Sequence, residues 1–174
     1  ILGLIALVFL ISTLVITQQK SLNVIASFGE YKRMAKPGLS FKAPWPFESV
    51  VGTISLRTRE LAEAVGVKTK DNAFLKVPVK VQYRAIESRA KEAFYELQDP
   101  KAQIISYIVN VILGCANGLE MDEIFQNKTT FGDEVERQLK EKLSDFGYEV
   151  INVLVDDPQP TAEMKATFDR VLAS

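Results

Sequence analysis

Histidine is absent from the sequence, and that decides much of the chemistry open to the chain. Serine–histidine–aspartate and cysteine–histidine nucleophiles, imidazole acid–base work at neutral pH and histidine metal sites all need that side chain. The single cysteine, Cys115, cannot form an internal disulfide or a thiolate zinc site by itself. It falls on the apolar stripe of a predicted helix, where a core thiol is favoured over a nucleophile or an acylation site. Glu120 with Asp122 and Asp156 with Asp157 are the pairs from which a glycosidase or metal-binding carboxylate site would be drawn. Nothing else in the sequence converges on them, and a solvated turn accounts for both. Gly66 and Gly118 stand alone, without the spacing of a phosphate-cradling loop. No catalytic residue, metal ligand or cofactor is therefore assigned. With 21 Lys and Arg against 22 Asp and Glu, and no basic run interleaved with aromatics, nucleic acid is not an expected partner.

The elements that organise the chain begin with its apolar start. Ile1 to Ile16 is apolar apart from Gly3, Ser12 and Thr13, and the polar cluster Thr17, Gln18, Gln19 and Lys20 closes it. Read as helix it covers about 24 Å, short of a hydrocarbon core of about 30 Å, so a further turn upstream is expected. A membrane anchor over residues 1–19 is the favoured reading. A cleaved signal segment is disfavoured because no Ala-x-Ala pattern follows, and a core helix because an all-apolar surface at a chain end has little to bury itself in. Downstream, Lys20, Lys32, Arg33, Lys36, Lys42, Arg57 and Arg59 outnumber Glu30, Glu48 and Glu60. That excess beside a membrane exit marks the cytosol-facing, anionic-lipid side.

Behind the anchor, the pattern predicts an α/β (α+β) chain. Leu22, Val24 and Ala26 alternate as a strand, and Lys36-Pro37-Gly38-Leu39 has the form of a type II turn. Ala43-Pro44-Trp45-Pro46-Phe47 then excludes regular structure, leaving Phe41, Trp45 and Phe47 on an irregular stretch. Two readings stay open there: the rings cap the domain core, or they dip into the lipid interface. Ile54 to Arg59 and Leu61 to Thr69 read as strands, followed by a turn at Lys70-Asp71-Asn72-Ala73. Leu75, Val77, Val79, Val81 and Tyr83 alternate with polar residues as the clearest strand, and Pro78 within it implies an edge, a bulge or an amide turned away. From Glu87 the period lengthens to that of helices. Ala90, Ala93, Phe94 and Leu97 form one stripe; Asp99-Pro100 opens a strongly apolar helix through Ala116; a third runs from about Thr130 to Phe146, stopped by Gly147. Tyr148 to Val155 reads as a strand covered on both faces. After Asp157-Pro158-Gln159-Pro160, Met164, Phe168, Val171 and Leu172 start an amphipathic helix whose stripe is the expected oligomer interface.

Several short motifs occur in one order: Phe28-Gly29-Glu30-Tyr31, Lys36-Pro37-Gly38-Leu39, Thr69-Lys70-Asp71-Asn72-Ala73-Phe74, Gln82-Tyr83-Arg84-Ala85, Ala93-Phe94-Tyr95-Glu96-Leu97, Gln103-Ile104-Ile105-Ser106-Tyr107 and Gly147-Tyr148-Glu149-Val150. In this order the chain from Ser21 to Ser174 resembles SPFH (band 7) proteins, the group of stomatin, prohibitin, flotillin and the bacterial HflK/HflC pair, and is most similar to the hypersensitive-induced-response and stomatin-like branch. The resemblance implies a β-rich subdomain over 20–86, a mixed helix and strand subdomain over 87–159, and the start of a coiled-coil helix over 160–174. It further implies a single-pass, membrane-bound homo-oligomer, a ring or cage on the bilayer that organises a lipid and protein microdomain. The alternative it carries is a regulatory subunit of a membrane-bound AAA protease or channel without a large cage. No catalytic residues come with it. Plant members of the nearest branch are acylated near the N-terminus, whereas this chain carries an apolar segment there.

Overall fold

The alternating run around Val77 builds the centre of the molecule in the computed structural model, which describes residues 1–162, 165, 166 and 170. The strands in chain order are β1 (Leu14–Thr17), β2 (Ser21–Ser27), β3 (Glu30–Ala35), β4 (Gly38–Phe41), β5 (Ser49–Ser55), β6 (Arg59–Lys68), β7 (Phe74–Ala85), β8 (Tyr148–Val155) and β9 (Gln159–Pro160). The helices are α1 (Leu2–Ile11), α2 (Ala90–Tyr95, after a short 3-10 turn), α3 (Pro100–Asn117), α4 (Met121–Gln126) and α5 (Lys128–Ser144). Three antiparallel sheets result: β1 with β4; β3-β2-β5; and β6-β7-β8 with β9 also on β7. Leu75, Val77, Val79, Val81 and Tyr83 are all buried, as the alternation predicts. Ile104, Ile108 and Ile112 of α3 and Val135, Leu139 and Leu143 of α5 belong to the same core, which also takes in Leu22 and Ile54 from the β3-β2-β5 sheet.

Local signals set most boundaries. Asp99 caps α3, its carboxylate accepting the Ala102 N–H at 3.2 Å ahead of Pro100 at the first helical position. Gly38 takes a φ of +109°, a value open to glycine at the second turn position. At the β6–β7 turn Asn72 adopts φ +61°, and the Thr69 hydroxyl accepts the Ala73 N–H at 3.0 Å.

Four expectations change, and of the three readings of Pro78 the amide turned away from a ladder partner is the one that holds. The apolar start is divided: α1 ends at Ile11, and residues 14–17 become strand β1. Ser12 and Thr13 hydroxyls donate back to the Phe9 and Leu10 carbonyls at 2.8 and 2.6 Å, closing the helix, and the following segment gains a sheet partner in β4. Ten helical residues cover about 15 Å, and among the described residues no helix is long and apolar enough to cross a membrane. An anchor drawn over residues 1–19 therefore takes in β1, which pairs with β4. Pro78 sits in a central strand: its carbonyl accepts the Asp156 N–H at 3.0 Å, and its missing N–H falls where β8 leaves β7 and β9 has yet to join. The Ile54–Arg59 strand is instead Ser49–Ser55, with a break before Arg59. Glu120 caps and Asp122 lies in the first turn of α4, a helix too short for its apolar content to reveal; the Glu123 carboxylate accepts the Glu120 N–H at 2.8 Å in a capping box. Last, β8 exposes Ile151 and Leu154, because it is an edge strand whose register shifts at Gln82/Tyr83. Met164, Phe168, Val171 and Leu172 lie outside the described residues.

Candidate membrane-facing surface

The ribbon formed by β1 and β4 has two unlike faces. Leu14 is opposite Phe41 and Ile16 opposite Leu39, so period-two geometry puts all four on one side. That side is open: Ile16 is 79% exposed, Phe41 68% and Leu39 62%. The other side carries Val15 and Thr17, both buried, with Val15 packing on Ile25 and Ala35. A buried amide ties the ribbon to the rest of the fold. Asn23 of β2 donates to the Thr17 hydroxyl at 3.0 Å and accepts from the Thr53 hydroxyl of β5 at 2.6 Å. The exposed apolar row is thereby held in a fixed direction.

The Pro-rich stretch between β4 and β5 continues this surface. Trp45 is 73% exposed and Phe47 52%, with the exposed Phe28 ring edge-on to Phe47 at 6.1 Å. The structure thus brings Phe41, Trp45 and Phe47 to the surface, outside the buried core. It adds Leu14, Ile16, Leu39 and Phe28, which the sequence alone did not single out. The signal was present in part, since the β-branched and apolar residues of 14–17 alternate about Val15. α1 lies on the same chain segment and buries none of its residues. A water-exposed surface of this composition is costly unless another apolar phase covers it.

One carboxylate organises the stretch. Glu48 has a side chain only 5% exposed, and its oxygens meet Lys32 Nζ at 2.5 Å and an Arg33 nitrogen at 3.5 Å. It also accepts the Ala43 N–H at 2.8 Å, while Lys42 Nζ donates to the Glu48 carbonyl at 3.3 Å. Arg33 donates to the Phe41 carbonyl and the Ser27 hydroxyl to the Phe47 carbonyl, the latter at 2.8 Å. The stretch carrying the rings is therefore clamped at both ends. Sequence reasoning counted Glu48 as one surface acid among several; no periodic pattern marks a buried carboxylate in a loop.

The Lys32 hydrogen bond, followed by the Ala43 N–H, holds the Glu48 carboxyl below its ordinary value despite burial. A depressed folded value means that Glu48 stabilises the fold above the unfolded carboxylate range, and that this contribution is lost as pH falls through the folded value. Glu48→Gln should therefore cost about 1–3 kcal/mol at pH 7 by leaving Lys32 and Arg33 without their anion. The difference from wild type should shrink as pH falls below about 4.5, the unfolded range. Urea unfolding at pH 7 and pH 3 checks this; an equal difference at both would assign the loss to packing alone.

The remaining chemical candidates stay apart from this surface. Cys115 is half-buried, and burial, then the nearby Glu134 charge, pushes its thiol up. Asp156 and Asp157 are exposed and pair with Lys80 at 3.6 Å and Lys128 at 2.6 Å, respectively. Among the described residues no group of three or more Cys, Asp or Glu is placed to hold a metal ion.

Comparison with known proteins adds independent information. Residues 15–174 match the SPFH domain / Band 7 family. Hypersensitive-induced response protein 4 of Arabidopsis thaliana is 29% identical over 157 residues, 90% of this chain and 54% of its own. The modulator of FtsH protease HflK of Escherichia coli K12 is 26% identical over 155 residues, 87% of this chain and 36% of its own. An uncharacterized protein of Methanocaldococcus jannaschii is 27% identical over 166 residues, 95% of this chain and 81% of its own. The chain thus spans about half the length of the first of these and a third of the second.

Proposed function

The chain belongs to the SPFH domain / Band 7 family, and from that premise we propose that it is a non-enzymatic, membrane-attached scaffold subunit that assembles with copies of itself. The observation that carries this reading is the open apolar surface: the unburied helix α1, the outer face of the β1–β4 ribbon and the rings of Trp45 and Phe47. In the proposed arrangement α1 is the bilayer-embedded part of a single-pass anchor, and the ribbon and rings rest in the interface beneath it. Lys20, Lys36 and Lys42 flank these groups, which supports the cytosolic, anionic side for the globular part. Residues 20–86 form the membrane-proximal subdomain and 87–159 the distal one. The apolar stripe of Met164, Phe168, Val171 and Leu172, after β9, is the proposed coiled-coil contact with neighbouring copies. Attachment to a plane raises the effective concentration of copies, so modest lateral contacts suffice to close a ring or cage that partitions lipids and client proteins.

A second reading has one observation in its favour, the relative whose name describes a modulator of the FtsH protease. On that reading the chain regulates a membrane-bound AAA protease or a channel one-to-one. Crosslinking in native membranes separates the two. The scaffold yields a long homotypic ladder and, in mild detergent, a particle of many protomers; a single heterotypic band beside a monomer would replace it with the regulator.

A further inference from the structure

At the junction of the β3-β2-β5 sheet with the β6-β7-β8 sheet lies a cleft of about 440 Å³. It opens because β5 leaves its sheet at Ser55 and the chain crosses to β6, while α2 and the start of α3 stand off on the far side. We infer that this cleft is an anion site, built from Arg57, Arg59 and Lys101, that takes a phosphate group. Its location is independent of the apolar surface described above.

Register makes Arg59 unusual. It is the direct partner of Tyr83, so it lies on the helix-covered side of the sheet, at the end of a row that contains the buried Leu61, Val65 and Val67. A cation at the open end of such a row stands at the mouth of the gap between layers, its side chain exposed. Tyr83 and Tyr148 line the same gap, their rings edge-to-face at 5.9 Å. Burial, then Tyr83, pushes the Tyr148 phenol up, and the nearby Arg59 charge acts against them.

The charges there are not balanced among the described residues. Among the described residues, none of Arg57, Arg59 and Lys101 has a carboxylate within 4.0 Å. Arg84, which also lines the cleft, differs in being paired with Glu149. Asp99, the α3 cap, is the acid of the lining, and it stands against three cations that no salt bridge among the described residues engages. Three like charges around one concavity repel each other until an anion enters. A carboxylate satisfies one guanidinium fork, whereas a phosphate has oxygens and charge for two forks and an ammonium together. The volume of about 440 Å³ accommodates a phosphate ester, whose source is a soluble metabolite or a lipid headgroup.

The test titrates the full chain, held in uncharged detergent, with phenyl phosphate, with benzoate and with a short-chain phosphatidylinositol 4-phosphate, followed by calorimetry. Saturable phenyl phosphate binding that weakens about tenfold or more in Arg59→Gln and again in Lys101→Gln is expected, with benzoate at least about tenfold weaker. Both substitutions lie on exposed side chains, and unchanged circular dichroism confirms the fold. Phosphoinositide binding tighter than that of phenyl phosphate and lost in the same variants assigns a lipid headgroup; equal or weaker binding assigns a soluble ester. Absence of saturable binding, benzoate binding as tight as phosphate, or affinity unchanged in both variants would each overturn the assignment.

Discussion

Replacing Trp45 and Phe47 together with alanine, in a chain that lacks residues 1–12, should lower partition into anionic lipid vesicles by about 30- to 150-fold. The two rings are largely exposed, and returning that area to water on dissociation corresponds to roughly 2–3 kcal/mol at about 25 cal/mol per Å². Residues 1–12 must be removed so that α1 does not mask the effect. The removal has to stop there, because Thr13 accepts the Lys42 N–H at 2.8 Å and residues 14–17 form β1. Cutting beyond Thr17 would delete β1 and uncover Ile25 and Ala35, which Val15 covers, and any loss of binding would then report unfolding. Leu39→Ser and Ile16→Ser on the outer ribbon face should add to the loss without lowering thermal stability, since those side chains are exposed. Vesicle co-sedimentation measures the partition. Partition unchanged to within twofold in the double variant would remove the rings from the membrane contact.

Gly147→Ala should be the most destabilising single-methyl substitution in the globular part, by about 3 kcal/mol or more, lowering the melting temperature by roughly 10 °C. Gly147 has φ +79°, and a Cβ there would stand 2.5 Å from the Arg89 carbonyl oxygen and 2.8 Å from the Ala93 nitrogen. Neither atom can move freely. The Gly147 carbonyl accepts the Ile86 N–H at 2.8 Å, the Arg89 guanidinium donates to the Ser144 and Asp145 carbonyls, and the Tyr148 hydroxyl donates to the Ala93 carbonyl at 3.0 Å. This corner joins α5 to β8 and fastens both to α2. Gly66→Ala supplies the control: nothing lies within 4 Å of its added Cβ and its φ is ordinary, so it should be neutral or slightly stabilising. Thermal unfolding followed by circular dichroism reads both, and a Gly147→Ala melting point within 2 °C of wild type would refute the close-approach argument.

The two positions show different depths of sequence information. Gly147 is legible as a helix stop, because a glycine following an amphipathic stripe has few other uses. Its tight approach to α2 is not legible, since Arg89 and Ala93 are more than fifty residues away in sequence and only packing makes them neighbours. Glu48 behaves similarly: its burial depends on Lys32, Arg33 and Ala43 converging from β3 and from the loop after β4.

Short motifs in a fixed order were enough to identify the family. The sequence by itself also determined the central strand Phe74–Ala85, whose strict alternation admits one burial pattern, the start of α3 at Asp99-Pro100, and the stop of α5 ahead of Gly147. The absence of histidine excluded imidazole chemistry without any structure. Only the tertiary structure decided that the apolar start divides into a helix and a strand, because residues 14–17 change state when β4 offers them hydrogen-bond partners that lie some two dozen residues downstream. Tertiary pairing likewise placed Leu14, Ile16, Leu39 and Phe41 on one face and gathered Arg57, Arg59 and Lys101 around one cleft. Local periodicity reports which face of an element is apolar; which elements meet, and which surfaces they leave open, follows from long-range pairing that a window of neighbouring residues does not contain.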